Sequence, residues 1–84
     1  MKKTLRDEVL SEVAHILRAE RLQRGLSLNL VAERAGLSRP MISFVENETR
    51  GPTLDTLLRI TEALEIDLID VLQRAKQTAA KKAK

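Results

Sequence analysis

The 84-residue sequence has no cysteine, tryptophan or tyrosine, and a single phenylalanine, Phe44. Without thiols it has no disulfide framework, no thiolate metal site and no cysteine nucleophile. One histidine, His15, cannot hold a metal without carboxylate help, and no metal or cofactor is expected. With so few aromatic residues, leucine, isoleucine and valine must fill the core. No apolar run approaches the roughly 18 residues that a membrane span needs. The opening MKKTLRDEVL carries two lysines with no apolar stretch behind them, so a signal peptide is not expected. A cytoplasmic protein follows by elimination. The length suits one domain with a modest core, for which self-association is a natural source of added stability.

Acidic residues are absent from one end of the chain. Residues 73–84 carry Arg74, Lys76, Lys81, Lys82 and Lys84 and no acid, and the whole chain has a net charge of +3. Removing that segment leaves ten cations against twelve acids in residues 1–72, a net of −2. The basic character therefore belongs to the tail, and overall charge is a poor argument for nucleic-acid binding. Function has to be read from helix patterning.

Apolar residues at Leu5, Val9, Val13, Ile16 and Leu17 recur at spacings of three and four, which predicts a first helix from about Thr4 to Arg24. Asp7 and Glu8 lie where a helix dipole favours acids, and Gly25 is a natural stop. Ser27 caps a second helix, Leu28 to Ala35, which Gly36 ends. Ser38 caps a third, Arg39 to about Asn47, with Pro40 tolerated in its first turn. The breaker pair Gly51-Pro52 follows. Thr53 caps a fourth helix, whose predicted apolar stripe is Leu54, Leu57, Leu58, Ile60 and Leu64. Asp67 caps a fifth helix bearing Leu68, Val71 and Leu72. After Ala75 the large apolar residues stop, so residues 76–84 are expected to be a basic flexible tail behind a domain of residues 1–75. No alternation of the β type occurs. The expected fold class is all-α, a compact five-helix bundle with an extended first helix.

Residues 28–47 carry the functional pattern. Val31, Ala32, Ala35, Gly36, Leu37, Ile42 and Val45 are the set that two helices need when they cross steeply through a short turn. Ala32 is small where the second helix passes, and Gly36 frees the turn. Leu37, Ile42 and Val45 bury one side of the third helix. Arg39, Pro40, Ser43 and Phe44 are left on the other side. In a major groove Arg39 can fork onto guanine, and Ser43 can donate to a base or phosphate. Phe44 can pack on a thymine methyl, the alternative being an ordinary core position. The amides at the starts of the second and third helices, near Ser27, Leu28 and Ser38, can meet phosphates. Met41 completes the third helix's first turn, and Thr49 and Arg50 are placed for a further phosphate contact. There is no nucleophile–base pair, ligand cluster or phosphate loop, so an enzyme is not expected.

The stretch SLNLVAERAGLSRPMISFVENETRGPTLDTLLRITEALEIDLIDVL resembles the helix-turn-helix of the Cro and phage-repressor (XRE) type, over roughly Ile16 to Leu72. The resemblance implies a compact bundle of five helices that binds double-stranded operator DNA as a homodimer and regulates transcription, usually by repression. It implies a structural pair between Glu46 and Arg21. Two separate apolar surfaces are open to dimer contact. One is helix five at Ile69 and Leu72, which the resemblance implies as the main contact. The other is Leu5, Val9 and Leu10 of the first helix, which precede the usual start of the domain, are expected to lack an intramolecular partner and would brace it. The operator would be a pseudo-palindrome with half-sites about 10 base pairs apart. Two residues depart from the pattern: Leu28 stands where the family often has glutamine, and Glu48 where it often has glycine. With the body's charge of −2, these departures keep open the alternative of a protein-interaction module, such as an antitoxin-type partner-binding protein. Phage-type repressor, restriction–modification controller, antitoxin and general regulator are roles the sequence does not separate.

Overall fold

A computed structural model describes residues 4–48 and 51–82. Five helices follow in order: α1 Leu5–Gln23, α2 Leu28–Ala35, α3 Arg39–Glu46, α4 Leu54–Leu64 and α5 Leu68–Lys82. The helix starts are set locally. Thr4 Oγ1 accepts the Asp7 amide while the Asp7 carboxylate accepts the Thr4 amide, both at 3.1 Å, a reciprocal capping box. Ser27, Ser38 and Thr53 each accept the amide three residues on, and Asp67 accepts from Ile69. Four helices are followed by a left-handed residue, Glu48 after α3 and, at the ends of α1, α2 and α4, Gly25, Gly36 and Glu65, all with φ between 59° and 68°. After Gly25, Gly36 and Glu65 the following amide reaches back to a carbonyl of the last turn at 2.9–3.0 Å.

The core is aliphatic. Leu17, Ile42, Leu64, Val13, Val31 and Val71 are its largest fully buried side chains. The α4 stripe differs from the predicted one. Leu57, Ile60 and Leu64 are buried, but Leu54 and Leu58 are 64% and 45% exposed. At about 100° per residue, the buried arc of α4 extends toward Thr56 and Ala63, and the two leucines fall past its opposite edge. Thr61 is buried within the arc because its hydroxyl donates to the Leu57 carbonyl at 2.9 Å.

Residues 76–82 of the segment expected to be a flexible tail are instead helix, and residues 83–84 lie outside the described residues. α5 continues to Lys82, Ala75 and Ala79 are fully buried, and the Lys82 ammonium donates to the carboxylate of Glu12, itself buried on α1. The stripe Leu68, Val71, Ala75, Ala79 keeps helical spacing while its members shrink to alanine. Small side chains let α5 lie close along α1, and that contact is the most extensive between helices in the fold. Of the early α1 residues expected to lack an intramolecular partner, Val9 packs against the core while Leu5 and Leu10 stay 51% and 40% exposed; Ser11 and Glu12 beside them are buried. The long pair α1–α5 gives the molecule its 38 Å axis against 23 and 21 Å in the other directions.

The hydrogen bond to Glu12 raises the Lys82 pKa above its ordinary value. The contribution of the pair is fully present below the ordinary lysine pKa and is lost only as pH rises through the raised one. Deleting residues 76–84 removes the buried Ala79 and the Lys82 partner of Glu12, and opens the α1 face beneath them to water. The truncated chain is expected to melt about 10 °C lower. Calorimetry of both lengths checks this, and equal melting temperatures would mean that α5 beyond Ala75 does not support the fold.

Among the described residues, no helix is long and apolar enough to cross a membrane.

Candidate nucleic-acid interface

α2 and α3 meet through the turn at Gly36. Its φ of +68° is a left-handed conformation that costs a non-glycine residue about 1–2 kcal/mol. The Leu37 amide closes the turn on the Ala32 carbonyl at 2.9 Å. Beyond it, α3 divides into two faces. Ile42, Val45 and Glu46 are buried, Arg39 and Pro40 are exposed, and Met41, Ser43 and Phe44 are half-buried. On the predicted reading side of α3, Arg39 and Pro40 face outward and Phe44 is half-buried. The Ser43 hydroxyl accepts from Asn47 Nδ2 at 3.1 Å, so it is oriented from within its own helix.

The inner face is locked by an ion pair. Arg21 Nε and one terminal nitrogen of its guanidinium donate to the two Glu46 carboxylate oxygens at 2.7 and 2.9 Å, and the other terminal nitrogen donates to the Leu26 carbonyl at 3.0 Å. Both side chains are about nine-tenths buried. The Glu46 hydrogen bond outweighs desolvation and raises the Arg21 pKa. The fork holds α3 to α1 and ties both to the α1–α2 turn, fixing the rotation of α3 about its axis.

Amide donors are distributed unevenly. The Ser27 and Ser38 hydroxyls are both used as caps. At the start of α3, Pro40 has no N–H and the Met41 amide is held by Ser38, so Arg39 supplies that turn's backbone donor. α2 offers the amides of Leu28 and Asn29 ahead of the capped Leu30. The Leu28 side chain packs against the core, which accounts for an apolar residue at a position where the family often has glutamine. Glu48 adopts φ +59°, the left-handed conformation expected to suit glycine better, and its carboxylate lies 3.5 Å from His15 Nε2. Thr49 and Arg50 lie outside the described residues.

The apolar residues assigned to self-association turn out to be neighbours. Leu5, Val9 and Leu10 of α1 and Leu72 of α5 line one groove, bordered by Arg6 and Lys76. Ile69, three residues before Leu72, is 63% exposed. Sequence reasoning treated the two helices as separate surfaces. It also missed Arg59 on α4, whose Nε donates to Asp55 at 2.8 Å and whose Nη1 reaches the Ala35 carbonyl at 3.4 Å.

The helix-turn-helix family model matches residues 17–71, from the middle of α1 into α5. The chain belongs to the helix-turn-helix family, in its Cro and phage-repressor branch. This helix-turn-helix chain is 38% identical over 50 residues to an uncharacterized HTH-type transcriptional regulator of Mycobacterium tuberculosis, found in two strains. The match takes in 60% of this chain and 36% of the relative, so the chain spans about a third of that protein's length. Among solved structures, the wild-type restriction–modification controller protein C.Esp1396I superposes with a TM-score of 0.77 at 26% identity, over 87% of this chain and 95% of the controller. The controller C.AhdI from Aeromonas hydrophila gives 0.70 at 31% identity, over 74% and 94%. A C.Esp1396I tetramer in complex with its natural 35 base-pair operator gives 0.76 at 25% identity, over 86% and 95%. These superpositions take in more than residues 17–71, so part of the outlying α1 and α5 turns of this helix-turn-helix chain has counterparts in the controllers.

Proposed function

We propose that the chain is a sequence-specific transcriptional regulator, repressor-like in action. It binds operator DNA as a homodimer in the bacterial or phage-infected cytoplasm, at the nucleoid. The observation that carries this reading is the two-faced α3. Its inner residues are clamped by the Arg21–Glu46 fork while Arg39 stands exposed in its first turn, where a recognition helix meets base edges. A rigid helix with a free N-terminal arginine suits groove reading better than it suits a buried structural role. The operator-bound state of a similar controller agrees with it. In this reading Arg39 pairs with guanine, Ser43 and Phe44 contact the neighbouring bases, and Ser27, Leu28, Ser38, Pro40 and Met41 border the backbone.

Selection of bound duplexes from a random pool tests it. A pseudo-palindrome with half-sites about 10 base pairs apart is expected, with affinity falling steeply as salt rises. Recovery of no preferred sequence, with binding flat against salt, would favour the protein-interaction alternative. Arg39→Ala is expected to cost about 1–3 kcal/mol at one base pair of the selected site and to relax preference there. Titrations against all four variants of that pair measure it. Equal weakening on every variant would move Arg39 to the phosphate backbone.

A further inference from the structure

The last four carbonyls of a helix have no intrahelical donor. At the end of α2, the Ala32 and Glu33 carbonyls take the amides of Leu37 and Gly36, at 2.9 and 3.3 Å. The Ala35 carbonyl takes something else: Nη1 of Arg59, from the middle of α4, at 3.4 Å. The same guanidinium is held by Asp55, one turn earlier on α4, through Nε at 2.8 Å. A Cβ built on Gly36 would stand 3.2 Å from that Nη1, so the guanidinium lies directly over the turn between α2 and α3. A cation there also meets the negative end of the α2 dipole.

We propose that Arg59, braced by Asp55, is a positioning residue that sets the angle at which the recognition helix α3 leaves α2. The proposal rests on the operator-binding reading above and deepens it, since neither side chain lies on the reading face of α3. The turn residue Gly36 has no side chain of its own to pack, so at the turn itself the α2–α3 crossing is held by the core beneath it and by whatever lies above it, the Arg21–Glu46 fork acting at the far end of α3. Arg59 is the side chain above it. Its 49% exposure, with 74% for Asp55, places the pair among surface contacts that add little to global stability. The strap is therefore expected to show in the aim of α3 more than in the melting temperature. Gly36 is constrained twice, by its left-handed φ and by the guanidinium against it.

Asp55 separates aim from charge. Removing an acid makes the chain more positive, so simple electrostatics predicts tighter DNA binding for Asp55→Asn. Loss of the brace predicts weaker binding to the preferred site. Wild type, Arg59→Met and Asp55→Asn are titrated by fluorescence anisotropy against the selected duplex and a scrambled one, over a range of salt. Amide hydrogen exchange at Gly36 and Leu37 is followed in the free proteins. Both variants are expected to lose about tenfold on the selected duplex, comparable with one misread base pair. They are expected to keep their salt slopes and to exchange the turn amides faster. Tighter binding of Asp55→Asn to both duplexes would overturn the proposal. So would a salt slope lowered by about one in Arg59→Met with Asp55→Asn unaffected, because Arg59 would then touch phosphate itself. If the wild type prefers no duplex, the operator reading is what fails, and unchanged exchange in both variants would separately dismiss the strap.

Discussion

Arg21→Met is expected to destabilise the bundle by about 3 kcal/mol, because it leaves the Glu46 carboxylate buried without its partner. The substitution removes three hydrogen bonds at once, two to Glu46 and one to the Leu26 carbonyl. Methionine roughly replaces the volume, so a cavity contributes little, and the effect isolates the stranded charge. In a domain of this size the loss corresponds to a melting temperature lower by about 15 °C. The companion double variant, Arg21→Met with Glu46→Met, is expected to recover most of the stability, since a buried pair exchanged as a unit for apolar residues is often neutral or better. Operator binding need not recover with it, because the fork is what fixes the rotation of α3. A single variant that melts like the wild type would show that Glu46 finds water or another donor, and that the clamp is not structural.

Ile69→Glu is expected to leave a helical monomer whose affinity for the operator falls to its nonspecific level, about a thousandfold. A single recognition helix spans too few base pairs to find one site among many, whereas a two-fold dimer multiplies the discrimination of each half. Ile69 is 63% exposed, so a glutamate there costs the folded monomer little. At a two-fold contact it would set one carboxylate against its symmetry mate in an apolar setting. Circular dichroism, sedimentation and operator titration together read the result. The dimer model requires wild-type chains to associate at micromolar concentrations. It would not survive a monomeric wild type that binds a half-site at full affinity, nor an Ile69→Glu chain that binds as before. The groove between α1 and α5, with Leu5, Leu10 and Leu72 at its lining, predicts a weaker effect of the same sign for Leu5→Glu.

The local signals in the sequence determined most of the fold. Serine, threonine and aspartate caps, the glycine stops at Gly25 and Gly36, and the apolar spacing placed all five helix starts, because capping and helical period depend on residues within a few positions of one another. The two-faced α3 and the Arg21–Glu46 pair were likewise legible, the first from spacing and the second from the family pattern. Three features were decided only by tertiary structure. The end of α4 uses Glu65 in a left-handed conformation that its side chain does not advertise. Leu54 and Leu58 are exposed because no other helix covers that edge of α4, which periodicity alone does not reveal. The continuation of α5 to Lys82 depends on Ala75 and Ala79 meeting α1 and on Glu12, some seventy positions earlier, meeting Lys82. Alanine carries too little apolar surface to mark a buried face by itself, and a pairing between opposite ends of a chain leaves no local trace. The same reason hid Arg59: an arginine on an exposed helix face reads as a solvated charge until the fold lays the α2–α3 turn beneath it.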